Sequence, residues 1–192
     1  MTIQLLLAFS TFAFVMSVTP GPNNMMLLAS GVNFGLRRSV PHLLGISLGL
    51  MLMVCAMGFG LGQVLKLYPP LFNLLRYVGG AYLLYLSWRI ATAAAPQVDG
   101  AANAKPFGLL QAAAFQWVNP KAWIMAVAAI TTYAPAQPLW HQVLLIAGVF
   151  ALINYPTCSI WVLAGSLLRR TLNNPRRRRQ FNGAMAALLV LS

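Results

Sequence analysis

Apolar residues run along this chain in long stretches, without the regular alternation with polar positions that a water-facing surface requires. Six stretches stand out, at about residues 3–34, 40–65, 71–90, 107–132, 139–168 and 181–191. A bilayer core of about 30 Å takes about 20 apolar residues of helix, so the first five are long enough to cross it. Turn chemistry separates the stretches: Asn33-Phe34-Gly35, Tyr68-Pro69-Pro70, Pro135-Ala136-Gln137-Pro138 and Asn173-Asn174-Pro175. Only 93–105 reads as a true loop, small and polar, linking a first half (1–92) to a second (106–192). The pattern predicts an all-α integral membrane protein of six transmembrane helices. Its last stretch spans only about 17 Å as a helix, which predicts a final helix truncated before its natural end.

Two of the stretches are interrupted. As one helix, 3–34 would measure about 48 Å, well beyond the membrane core. Inside it stands Thr19-Pro20-Gly21-Pro22-Asn23-Asn24. Two prolines remove two backbone donors and clash with the preceding turn, and the glycine between them rotates freely. The fourth stretch carries Gln116-Trp117-Val118-Asn119-Pro120-Lys121, where Asn119 suits an N-cap and Pro120 a first helical position. Thr19 or Gly21 suits the same start in the first stretch. Lipid-facing backbone does not tolerate such breaks, so both should face protein or a water-filled cavity. They lie about half the chain apart, each in the first helix of a set of three. An odd number of spans per half gives the halves opposite topology, so the pattern predicts two inverted repeats with a binding site where the broken helices meet.

Composition adds direction. Hydrophobic residues make up 59% of the chain and charged residues 7%, with mean hydropathy +0.72. That excludes a cytosolic enzyme, a disordered tail and a secreted disulfide scaffold. Thirteen Lys and Arg face a single acid, Asp99, for a net charge of +12. Arg37, Arg38, Arg89, Lys105, Arg169, Arg170 and Arg176 to Arg179 gather in alternate connections, with only Lys66 and Arg76 in the others. The positive-inside bias makes those loops and the 93–105 linker cytoplasmic and both termini external. Orientation and anionic lipid account for the arginine run, so no nucleic-acid partner is expected. The N-terminus lacks a basic region and a cleavage site, which reads as a retained helix. Cys55 and Cys158, inside apolar runs, read as small buried hydrophobes.

Half-helix starts at Pro22 and Pro120 would aim free amides and positive dipole ends into a cavity, which suits a carboxylate. Lys121 adds a full charge there, with snorkelling to the interface as its alternative. Asn23, Asn24 and Asn119 can hydrogen-bond a ligand or cap freed backbone. No Asp or Glu lies in any stretch, so a basic amino acid would bring an uncompensated second cation. A ligand ammonium would rest on carbonyls freed by the breaks or on the faces of Trp117, Trp123, Tyr155 or Trp161. Asn154-Tyr155-Pro156-Thr157 places an amide and a proline at mid-depth of the fifth stretch, as a hinge, a partner behind the site or a packed kink. Gly45, Gly49, Gly58, Gly60 and Gly62, with Ser47, predict a close-packing face, and Gly79-Gly80 predicts packing alone. His42 and His141 lie near stretch ends and read as interfacial.

Pro20-Gly21-Pro22-Asn23-Asn24, together with Asn119-Pro120-Lys121-Ala122, resembles the LysE/RhtB family of bacterial amino-acid exporters over essentially the whole chain. Within it, the Thr-Pro-Gly-Pro-Asn-Asn opening is most similar to the cysteine/O-acetylserine and threonine/homoserine exporters. The resemblance implies export of a small neutral amino acid across the inner membrane, by antiport driven by the proton motive force. On this reading Pro20, Gly21, Pro22, Asn23, Asn24, Asn119, Pro120 and Lys121 bind substrate, and Asn154, Tyr155 and Thr157 stand behind them. No cofactor, metal or catalytic residue is expected, since HExxH and paired carboxylates are lacking. The partners are the amino acid and the bilayer, and a homodimer is compatible with the chain. A passive pore and a scaffold subunit remain the rival readings.

Overall fold

The computed structural model describes residues 1–92, 106–172 and 174–191, without the side chains of 65, 66, 69, 71, 72, 76 and 170. The linker 93–105, with Asp99 and Lys105, therefore lies outside the described residues. Among those residues every regular element is a helix. The first stretch forms α1 (Ile3–Val18) and α2 (Pro22–Phe34). The second forms α3 (Leu36–Ala56), a π-helical turn (Met57–Leu61) and α4 (Gly62–Leu67). Then follow α5 (Pro69–Ala91), α6 (Leu109–Gln116), α7 (Pro120–Tyr133), α8 (Trp140–Thr171) and α9 (Pro175–Val190). Two helical runs, Leu36–Val64 and Trp140–Arg169, are long and apolar enough to cross a membrane. The pair α1 and α2, bent by 55°, makes a third if it is one span.

The long helix α8 is the axis of the molecule, packed against α1, α2 and α3. Phe9 of α1 meets Phe150 of α8 edge to face at 5.6 Å, beside Trp123 and Ile146. Leu27, Leu43, Ile46, Cys158 and Val162 form a second core where α2, α3 and α8 meet. A third, around Leu83, Leu86, Phe115 and Leu189, ties α5 and α9 to α6. Helices α2 and α8 approach each other closely. A methyl group on Gly31 would overlap the Val162 carbonyl, and one on Gly165 the Leu28 carbonyl, so each helix presents a glycine to the other's backbone. Large apolar side chains such as Leu52, Leu152 and Leu167 point outward, as a lipid-facing surface requires.

Several elements depart from the sequence expectation for physical reasons. The turn between α2 and α3 is Gly35 alone, at φ 78°, so Arg37 and Arg38 belong to the first turn of α3. The arginine run is helical as well. Asn174 caps α9 by accepting from the Arg176 amide, and Pro175 takes the first position. Gly45 and Gly49 do pack closely, against Leu109, Ala112, Ala113 and Gln116 of α6. Gly60 does not: a Cβ there would meet nothing within 4 Å, and its φ of 108° makes it a kink within the Leu36–Val64 run. His42 is not interfacial. It is 1% exposed, its Nδ1 lies 3.0 Å from Ser30 Oγ, and its Nε2 has no partner among the described residues.

Candidate functional site

The two breaks meet. When α1 stops at Val18 its last carbonyls lose their intrahelical donors, and bare carbonyls inside a bilayer cost several kcal/mol each. Side chains from elsewhere take them up. Asn24 Nδ2 donates to the carbonyls of Ser17 and Thr19, both at 2.8 Å. Trp161 Nε1 reaches across from α8 to the Val18 carbonyl at 3.2 Å. Lys121, from the start of α7, places its ammonium on the Thr19 carbonyl and 3.4 Å from that of Pro20. The carbonyl end of one broken helix is thus met by the cation at the start of the other.

Each new helix starts as local chemistry dictates. Gly21 is the extended residue before α2 and Pro22 its first helical residue. That leaves the Asn23 and Asn24 amides in the first turn, without intrahelical acceptors. Asn119 caps α7 by accepting from the Lys121 amide at 3.1 Å, with Pro120 in first position. Gly21 is needed for closeness: a Cβ on it would sit 2.7 Å from Lys121 Cδ. Pro20 and Pro120 are exposed and supply backbone geometry, whereas Pro22 and Asn119 are buried.

A reciprocal amide pair clasps the breaks together. Asn23 Nδ2 donates to Gln116 Oε1 at 2.8 Å, and Gln116 Nε2 donates back to Asn23 Oδ1 at 3.1 Å and to the Ala112 carbonyl at 2.9 Å. Behind them Asn154 joins three helices. It donates to Ser17 Oγ of α1 and accepts from Ser47 Oγ of α3, both at 3.0 Å. Cys158 Sγ lies 3.6 Å from Asn24 Oδ1. A cavity of about 10 Å³ remains, bounded among others by Ser17, Gly21, Asn24, Lys121, Asn154 and Cys158. It has room for about one water molecule. On the opposite side of α7 a cavity of about 1080 Å³ opens between that helix and the π-turn, past Gly60, Asn73, Trp123 and Thr131.

The remaining sequence candidates fall elsewhere. Thr157 bonds its own helix at Ile153, and Tyr155 packs on the Leu27 cluster. Neither lines the small cavity. Trp123 donates to the Trp117 carbonyl at 2.8 Å, which braces the second break. Gln116, Ser17 and Cys158 were not assigned from sequence. Gln116 stood inside the break motif, but its partner is 93 residues away. Cys158 carries no local signal apart from its place one turn after Asn154. A double-mutant cycle of Asn23→Ala and Gln116→Ala, read from unfolding midpoints in detergent, is expected to show a coupling of about 1 kcal/mol, because each single change strands its partner's amide, buried for Gln116 and half-buried for Asn23. Additive changes would mean that the clasp contributes nothing.

Residues 14–191 match the family model of the LysE type translocator. A cysteine/O-acetylserine efflux protein of Salmonella typhimurium (strain LT2) is 36% identical over 99% of this chain and 96% of its own length. The protein of the same name from Escherichia coli K12 is 34% identical over the same shares. No solved structure matches. Two proline breaks clasped to each other in an apolar helical bundle, on a chain matched almost from end to end, lead to one assignment: it belongs to the LysE family and is a transporter, not an enzyme.

Proposed function

We propose that the chain exports a small neutral amino acid, cysteine or O-acetylserine foremost and threonine or homoserine as related cargo. It does so across the bacterial inner membrane, driven by the proton motive force. Six crossings in two inverted halves, with both termini outside, complete the reading. The packing of Arg169 against Gly35, beside Arg37 and Arg38, supports the orientation by gathering basic residues at one end of the bundle.

The observation that carries the reading is the Lys121 ammonium seated on the Thr19 and Pro20 carbonyls. An amino-acid ammonium has the same charge and donors. It can take over those carbonyls while the freed lysine turns to the substrate carboxylate, helped by the Asn23 and Asn24 amides. Every charge then keeps a partner throughout the exchange, which avoids the cost of an unpaired charge among apolar helices. The space of about 10 Å³ is too small for any amino acid, so binding requires the breaks to part. The large cavity behind α7 gives that helix somewhere to move. A basic amino acid would bring a second cation to a place with no carboxylate among the described residues, and is rejected.

Counterflow in proteoliposomes tests this. External O-acetylserine should accelerate efflux of labelled internal O-acetylserine, external arginine should not, and an uncoupler should stop uphill export while sparing exchange. Efflux indifferent to external substrate would instead indicate a pore.

A further inference from the structure

Four arginines open α9, and they are not equivalent. Arg176, Arg177 and Arg179 are exposed, whereas Arg178 is only 7% exposed. Its Nε–H reaches no acceptor among the described residues, and none of those residues carries a carboxylate side chain. A guanidinium brings five donors and a permanent charge, and burying it without an anion is among the costliest arrangements available to a side chain. The surroundings make matters worse. Cations in the first turn of a helix oppose its dipole. Burial, and then the like charge of Arg169, hold the Arg178 guanidinium below its ordinary range. Arg169 itself packs against Gly35, at the end of α2.

One turn further along the same face of α9, Asn182 accepts from Asn33 Nδ2 at 3.4 Å, so Arg178 faces the same end of α2. Asn33 is 6% exposed, and its Oδ1 is likewise without a donor. The unsatisfied Nε–H of a guanidinium and an unsatisfied acceptor therefore stand at one end of the bundle, beside a second arginine, where α8 and α9 both pack on α2.

We propose that this end of the bundle holds the phosphate of an anionic phospholipid, with Arg178 and Arg169 on the phosphate oxygens and Asn33 Oδ1 accepting from a headgroup hydroxyl. A phosphodiester bearing a hydroxylated headgroup, as in phosphatidylglycerol, satisfies both orphaned groups at once, and the bilayer supplies it at the right depth. The site is separate from the small cavity between the breaks and requires no transport.

The test compares the whole protein in nanodiscs of phosphatidylcholine alone and of phosphatidylcholine mixed with phosphatidylglycerol. The unfolding midpoint and the phosphatidylglycerol retained in native mass spectrometry are read for each variant. Phosphatidylglycerol should raise the wild-type midpoint. Arg178→Gln should lose that gain and about tenfold in retained lipid, the equivalent of one charge-assisted contact. Arg177→Gln, at an exposed position of the same run, should keep most of both. Arg178→Lys, which preserves the charge, should recover part and shows that the loss is not misfolding. Equal losses in Arg177→Gln and Arg178→Gln would reduce the effect to diffuse charge and overturn the proposal. So would inorganic phosphate reproducing the full gain without lipid. A wild-type lipid response in Arg178→Gln would also overturn it.

Discussion

Lys121→Met should reduce O-acetylserine counterflow about a hundredfold while leaving the protein folded. The substitution keeps the length of the aliphatic stem against Gly21 but removes the ammonium from the Thr19 and Pro20 carbonyls. Thr19 keeps its bond from Asn24, and Pro20 is exposed, so the structural cost is small. The functional cost is large, because the substrate carboxylate would enter a closed site without its cationic partner. Truncating one side of a desolvated charge pair is worth about 2–5 kcal/mol, or about 30- to several-thousandfold. Lys121→Arg should fall between: it keeps the charge, but a planar fork replaces a compact ammonium. Counterflow by Lys121→Met within a few fold of wild type would show that the lysine braces the break and does not handle substrate.

The second large effect concerns stability. Gly31→Val and Gly165→Val should each destabilise the protein by about 3 kcal/mol or more, since overpacking against immovable atoms cannot be relieved by a rotamer change. The atoms in the way are the Val162 and Leu28 carbonyls, the main chains of the two helices themselves. Forcing α2 away from α8 also pulls Asn24 away from Cys158 and the site with it. Gly80→Ala and Gly183→Ala provide the contrast, because a Cβ at either position meets nothing within 4 Å. Unfolding midpoints in detergent should fall sharply for the first pair and stay near wild type for the second.

What the sequence conveyed was what local chemistry determines. Prolines, a glycine and asparagines fix where a helix stops and restarts within a few residues, so both breaks, the Asn119 cap and the Pro22 and Pro120 starts were legible. The start of α9 carries the same signal, Asn174-Pro175, yet four arginines suggested a loop. Charge described where the segment sits in the membrane and not whether it is helical. Partners far along the chain were invisible. Nothing near Lys121 announces that its ammonium rests on carbonyls about a hundred residues earlier, or near Asn23 that Gln116 returns its hydrogen bond. His42 was misread for the same reason, as its burial comes from Ser30 and the Phe107 ring on other segments. Glycine spacing alone did not distinguish Gly45, which allows close approach, from Gly60, which kinks the chain.

The claim beneath all of this is that an amino acid binds between the two breaks, and the chain carries its own probe there. Cys158 borders the small cavity, and Cys55 lies outside it. In a Cys55→Ser background the rate at which a small methanethiosulfonate modifies Cys158 reports on that space when the breaks part, since about 10 Å³ admits neither the reagent nor an amino acid. Saturating O-acetylserine, which has no thiol to consume the reagent, should slow the reaction severalfold, and arginine should leave it unchanged. A rate that O-acetylserine does not alter, or that arginine alters equally, would place substrate elsewhere and contradict the account.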